Sequence, residues 1–254
     1  GVLNPSKVWM LVVLLTGIGW FGYIGVRALG RERGLLVTGL AGGFVSASAT
    51  TASMARLSRT AASIRAPLAS ALLASMATFV QLLIVIAVVD VDVLRRLWPP
   101  VVLGATVLMI TVAIVYRGAR HTSAAAPVED TVESATTSRP FALRPALVLA
   151  AVLTFALFVG RWGADVLGAR GAVLAAFAAG LADAHAGSVA AASLAAQGDI
   201  TVDTALVAIA AALGSNLIVK TVLAFTAGGR RFGLGFLSCM AAPAALFGVA
   251  TAVV

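Results

Sequence analysis

Ser46, Ser48, Thr50 and Thr51 follow Gly42-Gly43 inside an otherwise apolar run. A second cluster, Asp183, His185 and Ser188, follows Ala179-Gly180 in another apolar run, with Asp183 lying 137 residues after Ser46. Asn216 and Lys220 come one run later, four residues apart and so on one face of a helix. Polar and ionisable groups are costly in hydrocarbon, and where they persist they face a cavity or each other. The chemistry they suit is the replacement of hydration around a small ion or polar solute.

The two clusters offer different chemistry. In the first, the alternate spacing suits unwound backbone, because a helix would scatter the hydroxyls around its circumference. A Gly-Gly break ahead of them would expose amides at a half-helix N-terminus, which attracts anions. The second brings Asp183 and His185 to the places of Ser46 and Ser48. An isolated buried ion costs more than a pair, so Asp183 and Lys220 are expected to neutralise each other. The N-termini and Lys220 favour an anion, whereas Asp183 favours a cation or proton coupling.

His185 has no second intramembrane His or Cys beside it, which points to a polar contact or proton relay rather than metal ligation. Neither a metal nor a cofactor is expected. Gly43, Gly180 and Gln81 are the expected supporting residues, with the Gln81 amide either lining the cavity or tying helices together. The plainer alternative is that each hydroxyl bonds the carbonyl four residues back and eases packing, and that Lys220 snorkels to the headgroups. Asp90 and Asp92 ahead of Arg95 and Arg96 read as a surface charge cluster at a span end.

The elements that must position these residues follow from composition. The chain is 61% hydrophobic and 11% charged, with a mean hydropathy of +1.04, against roughly 25% charged for soluble domains. Continuous apolar runs long enough to cross about 30 Å of hydrocarbon recur along the chain. They do not alternate as the strands of a membrane barrel would. The expectation is an all-α, polytopic transmembrane protein in contact with the lipid bilayer. The single cysteine, Cys239, excludes an intrachain disulfide. The net charge of +8 gathers between the runs, as for charges that anchor helices, and no nucleic-acid module is present. No Ser-His-Asp spacing, Walker loop or paired-cysteine motif supports an enzyme. The opening Gly1-Val2-Leu3 reads as the start of a fragment of a longer protein.

Spans are expected at about 8–27, 35–56, 67–89, 97–116, 146–160, 171–196, 203–227 and 233–254. A polar linker over 117–145 divides a first membrane repeat, 1–116, from a second, 146–254. The polar motif falls in the second segment of each half, and internal repeats of this kind are common in transporters. Two layouts compete. Eight full spans, the default, divide the flanking basic residues 8 to 9 between the two sides. Six spans with two re-entrant or broken motif segments divide them 12 to 5, which fits the positive-inside rule better.

Leu3-Asn4-Pro5 with Trp9, Gly22-Tyr23, the Gly42-to-Thr51 segment ending in Ala55-Arg56, Gly180-Leu181-Ala182-Asp183, and Asn216 with Lys220 carry a family resemblance. Together they resemble the uncharacterised membrane domain at the C-terminus of MgtC/SapB-family proteins of bacteria and archaea. Glutamine stands at 81, near where that family carries a basic residue. The resemblance implies a bacterial or archaeal inner-membrane location and a fused or associated MgtC domain as partner. The combined expectation is a homo-oligomeric channel or transporter for a small ion or polar solute. The rival is a non-transporting regulatory or scaffold module.

Overall fold

The computed structural model describes residues 5–29, 34–120 and 143–253. Leu3-Asn4, Arg31, Arg33 and residues 121–142 of the expected linker lie outside the described residues, while 117–120 and 143–145 belong to helices. Seven helices follow in chain order: α1 (Pro5–Leu29), α2 (Gly34–Leu57), α3 (Arg65–Val89), α4 (Val91–Arg120), α5 (Leu143–Ala182), α6 (Ala184–Ala196) and α7 (Val202–Val253). Among the described residues there is no strand. Among the described residues five helical stretches are long and apolar enough to cross a membrane, namely α2, α3, Val91–Gly118, Leu147–Ala182 and α7. The protein is a multi-pass helical membrane protein.

Two helix limits differ from the sequence expectation, each for an electrostatic reason. The fourth element starts at Val91 rather than near 97, because Asp90 caps it: Oδ1 accepts the amides of Asp92 and Val93, both at 2.8 Å. The fifth does not end at 160. It continues through Arg161, whose guanidinium is neutralised by Asp199 at 2.5 Å and Asp165 at 3.8 Å.

Glycines end the straight runs further on. Gly168 (φ 60°) and Gly229 (φ 79°) occupy the left-handed half of conformational space, open mainly to residues without Cβ. At both, the chain doubles back. A Cβ on Gly163 would sit 2.8 Å from the carbonyl oxygen of Gly171, and one on Gly233 would strike the Phe225 ring. Residues eight apart on a continuous helix are separated by about 12 Å along its axis.

The core packs Met54, Leu72, Ile86, Leu97, Leu206 and Phe232 between α2, α3, α4 and α7. Large apolar side chains also face outward, among them Phe21, Ile114, Phe155 and Leu174, as a lipid-facing surface requires. Polar ties mark two ends of the bundle. At one, Arg59 donates to the carbonyls of Ala227 (2.6 Å) and Thr226 (3.0 Å), and Arg65 to that of Gly118 (2.7 Å). At the other, Arg96 meets Asp203 at 2.5 Å beside the Arg161–Asp199 pair.

Candidate functional site

Both polar motifs break their helices, at equivalent residues and with the same backbone geometry. Ser46 stands extended within α2 (φ −165°, ψ 104°). Asp183 stands extended between α5 and α6 (φ −156°, ψ 127°). The expected unwound stretch is thus a single residue in each copy, and the helix resumes at once. Gly42-Gly43 does not form the break; it remains helical.

Each extended residue caps the half-helix it starts. Ser46 Oγ accepts the Ala49 amide at 3.3 Å. Asp183 Oδ1 accepts the amides of His185 (2.7 Å) and Ala186 (3.0 Å). An extended N-cap whose side chain takes the second or third amide satisfies donors that the missing turn leaves over. His185 Nδ1 lies 3.3 Å from the same carboxylate oxygen, and its Nε2 is buried with no partner among the described residues. The ring is held against the cap by the Nδ1 contact. Among the described residues no three His, Cys, Asp or Glu side chains cluster as a metal site needs.

The chain turns back at these breaks too. A Cβ on Gly42 would lie 2.8 Å from Thr50 Oγ1, and one on Gly187 would lie 2.5 Å from the Ala176 carbonyl. The glycines permit close approach to the next long helix. Gly43 presses on the Ala74 backbone of α3, with a Cβ placed 2.5 Å from its Cα, and Gly180 presses on Ala212 and Ser215 of α7. That helix then returns a side-chain amide to a carbonyl just ahead of the break. Gln81 Nε2 donates to Phe44 at 3.1 Å, and Asn216 Nδ2 donates to Gly180 at 3.3 Å. Gln81 both ties the helices together and lines the cavity.

The two breaks open on one cavity of about 220 Å³. Ser46, Ser48, Asp183, His185, Asn216 and Lys220 meet there, together with Gly43 and Gln81. Lys220 is only 5% exposed, and its Nζ donates to Thr78 Oγ1 at 3.0 Å, so it points inward rather than snorkelling. The expected direct Asp183–Lys220 pair is not formed. Asp183 is held by its own half-helix and Lys220 by α3, so the two charges face a shared space without touching. A smaller, mostly apolar cavity of about 100 Å³ lies behind Thr78, Asn216 and Lys220, closed by Phe79, Met240 and Phe247.

Three candidates lie elsewhere. Thr51 donates to Ala47 (2.8 Å) and Ser188 to Ala184 (2.8 Å), each back along its own helix, while buried Thr50 abuts Gly42. Conversely, Thr78 was not singled out by its sequence context. The available signal was its spacing of three from Gln81, which puts both on one face of α3.

Residues 13–228 match the family described as Domain of unknown function (DUF4010), and the chain belongs to that family. No curated protein and no solved structure matches it.

Proposed function

We propose that this member of a family of unknown function moves a small ion or polar solute across the membrane, through the cavity between its two broken helices. One observation carries the reading: equivalent residues of two separated motifs break the chain with the same geometry and open on the same polar cavity. Closely apolar helices supply the walls, and polar groups in such a setting mark solute pathways.

The contacts at the two ends of the bundle support six spans with two re-entrant segments. The Arg59 and Arg65 ties put the end of α2, the start of α3, the end of α4 and the Gly229 turn together. The Arg96–Asp203 and Arg161–Asp199 pairs put the α3–α4 junction, the Gly168 turn and the α6–α7 loop at the other end. The segment from Gly168 through Asp183 to Asp199 then enters and leaves at one end, and α2 does the same at the opposite end. The halves become inverted repeats meeting at mid-membrane, an arrangement that transporters use for substrate sites. The 12-to-5 division of basic residues supports an orientation with the Arg59 end facing the cytoplasm of a bacterial or archaeal cell.

The test is flux in liposomes containing the purified chain, against empty vesicles, for common monovalent and divalent ions. Flux that falls in Asp183→Asn or Lys220→Met supports the reading. Absence of flux for every ion, with both variants as stable as the parent, would leave the rival: a regulatory or scaffold module, including one that associates with an MgtC domain.

A further inference from the structure

We infer that the cavity takes a small anion, held between Lys220 and the opening amides of the second half of α2. The inference rests on the transport reading above and names the substrate class of that site.

Most of the side-chain oxygens that face the cavity are neutral: the hydroxyls of Ser46 and Ser48 and the amide oxygens of Gln81 and Asn216. Phe44 and Gly180 give their carbonyl oxygens to Gln81 and Asn216. Asp183 Oδ1 carries two amides and the His185 ring nitrogen, and its negative charge sits at the positive end of α6. Among the described residues of the lining Asp183 supplies the one carboxylate, whereas a hard cation takes about six oxygen ligands and favours charged ones.

The donors are less occupied. Lys220 has three N–H groups and gives one to Thr78, leaving two. It is buried, no carboxylate among the described residues lies within ion-pair distance of it, and Asp183 acts on it only across the cavity, so its charge is incompletely neutralised. The second piece of α2, residues 47–57, begins at the same cavity with Ala47 and Ser48. Its break removes the preceding turn's carbonyls, and its cap is the neutral hydroxyl of Ser46. One half-helix is thus balanced by an acidic cap while the other keeps its positive end for a ligand. A volume of about 220 Å³ is more than ten times the roughly 10–15 Å³ that one water needs on the same measure, so an anion fits with part of its hydration.

The test uses the full chain in liposomes loaded with potassium chloride or potassium nitrate. Flux should follow the anion, collapse when gluconate replaces chloride, and persist when sodium replaces potassium. Lys220→Gln should lower chloride flux at least about tenfold, the loss expected when a charged hydrogen-bond partner is removed. Asp183→Asn should leave the selectivity anionic. If Lys220→Gln does not fold, Lys220→Arg reads the same contact, because moving the charge should change the order of preference among chloride, nitrate and formate. Cation-selective flux, undiminished chloride flux in Lys220→Gln, or an unchanged order in Lys220→Arg would overturn the inference and leave transport standing. No flux of any ion would instead count against the transport reading itself.

Discussion

Replacing Asp183 and Ser46 in parallel separates the structural from the electrostatic content of the two breaks. In Asp183→Ala, the amides of His185 and Ala186 lose acceptors at 2.7 and 3.0 Å, and the His185 ring loses its 3.3 Å partner. Loss of an N-cap costs about 0.5–2 kcal/mol. Bonds to an ionised acceptor are roughly twice as strong as neutral ones, so the cost should lie near the upper end, about 2 kcal/mol. Asp183→Asn retains a good capping oxygen and loses only the charge assistance, which places it about midway, near 1 kcal/mol. Ser46→Ala removes one long neutral bond of 3.3 Å at an exposed position and should cost about 0.5 kcal/mol. The assay is reversible unfolding in mixed micelles, followed by far-ultraviolet circular dichroism. The order Asp183→Ala, then Asp183→Asn, then Ser46→Ala is required. Equal costs for Asp183→Ala and Asp183→Asn would refute the capping argument, because only the alanine removes the acceptor.

The same unfolding assay reads the other packing claims. Gly180→Ala and Gly43→Ala force a methyl against the neighbouring helix and should each cost about 1–3 kcal/mol, whereas Gly17→Ala, with nothing within 4 Å, should cost far less. Gly168→Ala and Gly229→Ala should each cost about 1–3 kcal/mol from backbone strain alone, since open space surrounds both positions. Gln81→Leu leaves the Phe44 carbonyl unpaired beside the cavity and should lower both stability, by about 1–3 kcal/mol, and flux.

Much of the site could be read from residue type and spacing. Polar residues within apolar runs flagged Ser46, Asp183, Asn216 and Lys220, and the 137 residues between Ser46 and Asp183 matched the two breaks. What spacing could not supply was the partner of each group. Alternate hydroxyls suggested a strand-like stretch, but a single extended residue suffices once its own side chain caps the next turn. Thr51 and Ser188 have local partners in the preceding turn, so their hydroxyls need no cavity. Arg161 looked like the end of a span because its partner Asp199 lies 38 residues away. Asp183 and Lys220 looked like a pair because both are charged, while nearer donors and a hydroxyl already hold them.

The most direct measurement on the meeting of the two motifs at a water-filled cavity is thiol labelling in the membrane. The native Cys239 is first replaced as Cys239→Ala, and Ser48→Cys and Ala182→Cys are then made separately. Both new thiols should react with a small charged, membrane-impermeant reagent, and chloride should slow the reaction at each. Two thiols as inert as one placed on the lipid face at Leu174 would contradict a shared aqueous cavity.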